Sequence, residues 1–549
     1  MAHILHKTGP VYVNGKKATD QVQFPNTAVF TGFARPSRIE GDIFDLEIEG
    51  SIPKEISGTF YRVQPDHRFP PTYEEDIHFS GDGNVTAIRI ENGHADFKQR
   101  YVQTDRFKVE TAARKNLFGK YRNPYTDSEA VRGILRTVSN TNIFFWRGTL
   151  LALKEDGPPF AMDPVTLETI GRYDFEGQIL APTFTAHPKI DPDTGEMVAF
   201  AYEAGGNGQD ASRDIVIWTI DKEGRKTEEC WYQAPFCGFI HDCTITKNYV
   251  ILPLTPLKVS LDRLREGGNH FAWDPNENQI YGVFPRRNAK PEDARWYRGP
   301  NAFQGHFAGS YEDEDGNIVA DLTVANGNVF FFFPPDPKLT PPSPAAEAEE
   351  RKEIKSPTTR WVIDPKLPSD TLIYPQMDLD NSGEFARIDE RFMGKRYSHF
   401  WQLLIEGTRP YDGAKCGSPA GGLFNCLGHF NWDTGERDVW FAGPTSTLQE
   451  PVFIPKKESQ EEGVGWVICF ANRLDEMRND ILLFDSLNVA QGPIAIIRLP
   501  MKLGLGVHGN WVDQDEIEAY AKRRASGGDL GSLKPAEQPL PWQRNAVLP

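Results

Sequence analysis

Turn signals of the Asp/Asn-x-Gly type recur along this chain, each set against runs rich in Val, Ile, Phe, Tyr and Trp. SGDGN precedes VTAIRI, ENG precedes HADFKQRYV, DPDTGE precedes MVAFAYE, DEDG precedes NIVADLTV, and WDTGE precedes RDVWFAG. Glycine or asparagine supplies the positive φ of a tight turn, and the branched and aromatic residues beside it suit a pleated, half-buried sheet. Each pair therefore reads as a β-hairpin. The hairpins spread from near residue 60 to near residue 500, which favours a sandwich array, a barrel or a propeller over separate α/β domains. No exact repeat is visible, so the pattern alone does not choose among them. At 549 residues the chain exceeds one average domain, yet all-β architectures often run this long as single units. One domain over 1–549 is the expectation.

Helix signals are few and peripheral: Ser260–Glu266, Ala345–Lys355 and Gln514–Arg524, the last with acids first and bases last as the helix dipole prefers. The proline-rich and then charged stretch that begins FFPPDPKLTPP at Phe332 reads as a surface insertion, set at 334–357, because strand patterns resume after it. Residues 526–549 read as an irregular tail. Acids outnumber Lys plus Arg by 77 to 60, a net charge of −17, which repels a phosphate backbone and argues against nucleic acid as a partner. Six cysteines include no C-x-x-C pair, so they are expected as reduced, partly buried thiols. No signal-peptide stretch or bilayer-spanning run is visible, and a cytoplasmic protein is expected. PLTPLKVSLDRL offers an apolar patch able to graze a bilayer.

Four of the twelve histidines sit in strand-like or Gly-rich surroundings: His187 (PTFTAHPK), His241 (CGFIHDCTI), His306 (FQGHFAGSYED) and His508 (GLGVHGNW). No local ligand spacing such as HExxH joins them, and on spacing alone each reads as a hydrogen-bonded core or turn histidine. Only an architecture that brings inner strands to one axis unites them, and a propeller does so.

These segments, with GTFYRVQPDHRF, HFSGDGN, RYVQTDRFKVE, LALKEDGPPFAMDPVTLETIG, YEDEDGNIV, GEFARIDERFMGKRY and EPVFIP, resemble the carotenoid cleavage oxygenases in order and local wording. The resemblance covers roughly residues 20 to 512. It implies an all-β, seven-bladed β-propeller with a helical cap and a non-haem ferrous iron on the axis, held by His187, His241, His306 and His508. Four neutral imidazoles leave the iron its full double charge and two open positions of an octahedral shell. Zinc accepts the same ligands but donates no electron to oxygen. The resemblance further implies that Glu155, Glu384 and Glu450 accept the outer ring N–H groups and fix the imidazoles, and that the Thr141 methyl crowds one open position. One departure stands out: Gly309-Ser310 replaces the Asn-Ala that many relatives carry before Tyr-Glu-Asp, which leaves the conformation near His306 open.

Within that family, the branch that cleaves lignostilbene and resveratrol sets a Tyr and a Lys on the substrate's 4′-hydroxyl, and this chain offers Tyr121 and Lys154. A buried ammonium facing a hydrocarbon has no partner to offset its desolvation, whereas a phenol that ionises beside it does. Phe79 and Phe303 match positions that sandwich the aromatic rings. Strand alternation puts Lys154 and Glu155 on opposite faces, so both reach the site only if the strand ends there. The implied activity is Fe(2+)-dependent cleavage, by O2, of the interphenyl double bond of 4′-hydroxystilbenes into two aldehydes. An apocarotenoid-cleaving oxygenase is the rival. A non-catalytic propeller serving as an interaction platform is a third reading, and such a platform has no need of four histidines and three glutamates. Oligomeric state and the physiological stilbene are not fixed by these residues.

Overall fold

The computed structural model describes residues 11–13, 16–18, 22–205, 211–419 and 421–526. Apart from the small hairpin of Val11–Val13 with Lys16–Ala18, the strands form seven antiparallel sheets, the blades of a seven-bladed β-propeller. The inner strands of blades two to six begin at Asn142–Trp146, Lys189–Ile190, Gly238–Phe239 with Thr244–Ile245, Phe303–Glu312 and Gly383–Ile388, and the chain steps outward from each. The ring is closed twice. Gly509–Asp513 adds to Gly58–Pro65 as the innermost strand of the first blade, and Glu47–Gly50 adds to Ala495–Arg498 at the outer edge of the seventh.

The hairpin signals place the blades well. Between Gly83–Glu91 and His94–Tyr101 the turn is made by Asn92 and Gly93, with φ of 54° and 83°, the positive pair that a tight hairpin demands. SGDGN is the exception. Gly83 already belongs to a strand, and residues 66–82 form a long connection that carries Phe79.

Each blade packs its two faces against neighbouring blades, so its middle strands are apolar on both sides and lose the usual alternation. The same holds for most of PLTPLKVSLDRL. Tyr249–Val259 is a blade strand in which Leu252, Leu254 and Leu257 are fully buried, and Leu264 beyond it is buried too. Each such leucine contributes on the order of 1.5–3 kcal/mol by leaving water, while Leu261 in the same stretch stays half-buried. Among the described residues, no helix is long and apolar enough to cross a membrane.

The helices lie at Leu261–Arg265, Pro344–Glu350 and Gln514–Ala525, within a few residues of the sequence signals. A further helix, Asp105–Ala113, opens residues 102–141, a mainly helical and looped segment between the first two blades. Its N-cap Thr104 accepts a hydrogen bond from Phe107 N at 3.1 Å, but its weak apolar face hides it from a periodicity search. Residues 334–357 connect two paired strands of one blade, Ile318–Ala325 and Thr358–Ile363. The surface stretch begins later than Phe332: that ring is half-buried against Phe330 and Phe333, and Phe333 is a core residue. Of 526–549, only Ser526 is among the described residues. The six thiols are unpaired, with Cys243, Cys426 and Cys469 buried.

Candidate metal centre and aromatic pocket

The four histidines meet at the axis. His187 precedes the inner strand of blade three, His241 lies between the two short inner strands of blade four, His306 is within that of blade five, and His508 precedes the closing strand. One nitrogen from each lies within 4.8 Å of the others, and among the described residues this is the one such group of His, Cys, Asp or Glu.

Three imidazoles are oriented from outside. His241 Nδ1 is 2.5 Å from Glu155 Oε1, His306 Nδ1 is 2.5 Å from Glu384 Oε2, and His508 Nδ1 is 2.8 Å from Glu450 Oε1. A carboxylate that accepts Nδ1–H leaves the Nε2 lone pair facing inward. Burial would raise these carboxyls, but the adjoining histidines outweigh it and hold all three down at about 2. His187 differs: Asp242 Oδ1 lies 3.8 Å from its Nδ1 and pairs instead with Lys189 Nζ at 2.9 Å. The inner nitrogens confront one another, with His187 Nε2 and His241 Nε2 at 3.2 Å, His241 Nε2 and His306 Nε2 at 2.9 Å, and His508 Nε2 buried without a hydrogen-bond partner. Buried lone pairs aimed at one point suit a cation, and burial pushes His508 down to about 4, toward the neutral form a metal requires. The residues fit a metal ion.

Local backbone devices make room for this. The strand Phe303–Glu312 breaks register on both sides of Phe307, close to His306, and such bulges re-aim a side chain. Gly305 is obligatory: a Cβ there would lie 1.6 Å from Glu384 Oε1. Phe385 holds a left-handed φ of 60° and stacks on His306 with centroids 5.1 Å apart. Arg387 then reaches Glu450 at 3.3 Å and the Gly509 carbonyl at 3.0 Å, tying blade six to the closing strand. At Gly309-Ser310 the chain is regular strand. The missing Cβ of Gly309 admits the Tyr397 ring, and Ser310 Oγ bonds Thr244 Oγ1 at 2.8 Å.

A cavity of about 300 Å³ reaches His187, His306 and His508 from a side lined by polar groups such as Asn142, Asp242 and Arg387. It touches none of the aromatic residues singled out in the sequence. Those gather by His241, whose ring stacks on Phe239 at 5.3 Å. Phe79 and Phe303 both meet Phe330, at 5.7 and 4.8 Å, and Tyr121 packs on Phe333 at 5.8 Å. Phe332, which the sequence placed at the start of a surface stretch, instead belongs with Phe330 and Phe333 to this aromatic cluster.

Lys154 and Glu155 do face one centre, because the strand Thr149–Leu153 ends just before them. The buried Lys154 ammonium lies 5.1 Å from the Tyr121 ring centroid and donates to Phe79 O at 3.1 Å and Asn140 Oδ1 at 2.8 Å. Burial pushes the lysine below its usual range and the Tyr121 phenol well above its own. Thr141 is buried beside them, its hydroxyl donating to Asn140 Oδ1 at 3.2 Å.

A seven-bladed propeller with an all-histidine centre on its axis defines the class of this protein. The family described as retinal pigment epithelial membrane protein matches residues 34–513, and the chain belongs to that family, the carotenoid oxygenases. It is 55% identical to "Resveratrol cleavage oxygenase 1" of Chaetomium globosum over 99% of this chain and 98% of that relative. It is 41% identical to "Carotenoid cleavage oxygenase 1" of Neurospora crassa over 91% of this chain and 92% of that one. The crystal structure of Pseudomonas brassicacearum lignostilbene dioxygenase superposes with a TM-score of 0.83 at 41% identity, covering 90% of this chain and 100% of that one.

Proposed function

We propose that this protein is an iron(II)-dependent oxygenase that uses O2 to split the interphenyl double bond of 4′-hydroxystilbenes, of the resveratrol, piceatannol and lignostilbene type, into two aromatic aldehydes. The observation that carries the reading is the Lys154 ammonium, buried among aromatic side chains beside Tyr121 on the His241 side of the metal centre. Removing an ammonium from water costs several kcal/mol, a burden that a hydrocarbon substrate does not relieve. A phenol that ionises against it does. The relatives named for resveratrol and lignostilbene support the same choice.

His187, His241, His306 and His508 would hold the iron, with Glu155, Glu384 and Glu450 as orienters. Bound iron(II) supplies the one-electron donation that lets triplet oxygen react with a closed-shell alkene, which zinc does not. The chain's own part is recognition and polarisation. Lys154 and Tyr121 bind the 4′-oxygen and favour its phenolate, Phe79 and Phe303 hold the ring, and para electron donation enriches the double bond. Thr141 narrows the space beside the metal.

The test is paired turnover. Resveratrol and piceatannol are cleaved, while the 4′-O-methyl ether of resveratrol reacts at least about tenfold more slowly, because the methyl leaves buried polar groups unpaired. Efficient cleavage of an apocarotenal without activity on resveratrol would transfer the protein to the carotenoid branch.

A further inference from the structure

Lys154, Phe79 and Thr141 all hang on one side chain that no motif singled out. Asn140 is completely buried. Its amide oxygen accepts from Lys154 Nζ at 2.8 Å and from Thr141 Oγ1 at 3.2 Å, and its amide nitrogen donates to Phe79 O at 2.9 Å and Gly81 O at 2.6 Å. An amide has two donors and two acceptor lone pairs. All four are used, which fixes its orientation. Phe79 O is also the second acceptor of the lysine, at 3.1 Å, so ammonium, amide and carbonyl close a triangle.

The backbone that presents Asn140 is tightly held. Ser139 before it takes a left-handed φ of 49°, and Gly83 N donates to Val138 O at 2.8 Å. A Cβ on Gly83 would sit 2.2 Å from Ser139 O. Such strain persists only where the surroundings over-determine it. An ammonium has three N–H groups, and among the described residues the hydrogen bonds of Lys154 use two. The third is left for a ligand.

We infer that Asn140 is a positioning residue that sets substrate choice, aiming the remaining N–H of Lys154 at a phenolic oxygen and fixing, through the Phe79 carbonyl, the ring that stacks on the same substrate. The inference rests on the stilbene reading of the site. Hydroxyl recognition and ring stacking are then one coupled device, since a change at the amide disturbs both.

A mere anchor for the 66–82 connection would behave differently, and a double-mutant cycle separates the two. Asn140→Ala and Lys154→Met are made singly and together, and dissociation constants for resveratrol and its 4′-O-methyl ether are measured without oxygen, followed by aerobic turnover. Asn140→Ala weakens resveratrol binding and kcat/KM about tenfold and brings the two ligands close to parity; in the Lys154→Met background, where only the hold on the Phe79 ring is left to lose, it lowers both ligands alike and moves the ratio between them less than about twofold. Metal content stays at the wild-type level. A ratio between the two ligands that Asn140→Ala shifts as much in the Lys154→Met background as in the wild type, or leaves unchanged in the wild type, would overturn the proposal. If Asn140→Ala does not fold, Asn140→Asp carries the same cycle: it keeps an acceptor for the ammonium but sets a carboxylate oxygen against two carbonyls, so it retains hydroxyl preference and loses ring affinity. Wild-type protein that neither binds nor cleaves any 4′-hydroxystilbene would bring down the stilbene reading itself, visibly and before any variant is compared.

Discussion

Lys154 carries a sign that solution measurements read directly. Its pKa is lowered, first by burial, with Arg122 and Arg106 adding to the effect and Asp156 and Glu155 opposing it. Between the folded value and the ordinary lysine value of 10.5, the unfolded chain binds more protons, so stability rises with pH across that window. Activity runs the other way, because the charge that favours the phenolate disappears. The alkaline limb of kcat/KM, which reports the free enzyme, is therefore expected below the ordinary lysine pKa and absent from Lys154→Met. Tyr121 does not produce that limb, since burial pushes its phenol upward. A second prediction concerns the carboxylates. Glu384 accepts from the main-chain N–H groups of His306 and Phe385 on different oxygens, and Glu450 accepts from the His508 ring Nδ1 on one oxygen and the Gly509 main-chain N–H on the other. A glutamine amide at either position sets an NH2 against a donor in both orientations. Glu384→Gln and Glu450→Gln are expected to lower metal affinity or rate about ten- to a hundredfold, with Glu155→Gln milder because, among the described residues, its carboxylate is hydrogen-bonded to the His241 ring and to no main-chain N–H. Gly305→Ala should match Glu384→Gln in metal content, as its Cβ displaces that carboxylate. Equal metal content in all four variants and wild type would refute the assignment of these carboxylates.

At the level of elements, four hairpins were readable because their turns demand positive φ and the sequence supplies Gly or Asn there. The connection 66–82 was not, since SGDGN has turn composition but serves to lead a strand out of a loop. The four axial histidines and the glutamates beside them were singled out through family wording, because residues hundreds of positions apart share no local spacing. Asn140, Asp242 and Arg387 escaped for a related reason: each works by a contact between blades, and nothing in their neighbourhoods distinguishes them from ordinary core polar residues. Closure by Gly509–Asp513 leads to a third prediction. Deleting residues 506–526 removes a ligand histidine and exposes the inner edge of the first blade, whose strand Gly58–Pro65 is buried throughout. Such a chain is expected to aggregate, as an uncovered apolar edge strand does. A monomeric truncation with the wild-type melting profile would contradict this.

Across the whole molecule, the histidines come from four separate blades, so a bound metal cross-links the ring at its narrowest point. A ligand that binds only the folded state stabilises it by about 2.7 kcal/mol at a hundred times its Kd. Chelation is therefore expected to lower the thermal midpoint by roughly a few degrees, and zinc to restore the midpoint without restoring turnover. Stability that ignores the chelator, measured alongside complete metal loss, would argue against the cross-link. The double closure also has a meaning in time. Gly58–Pro65 is synthesised long before its neighbour Gly509–Asp513, and at ordinary elongation rates of about 5–20 residues per second it waits roughly half a minute or longer. Through that interval the nascent chain carries an unpaired edge, and it gathers three of its four axial histidines, His187, His241 and His306, only as those positions are made. The last histidine and the last strand leave the ribosome side by side, so the chain completes its ring and its metal-binding set in a single late step of its biogenesis.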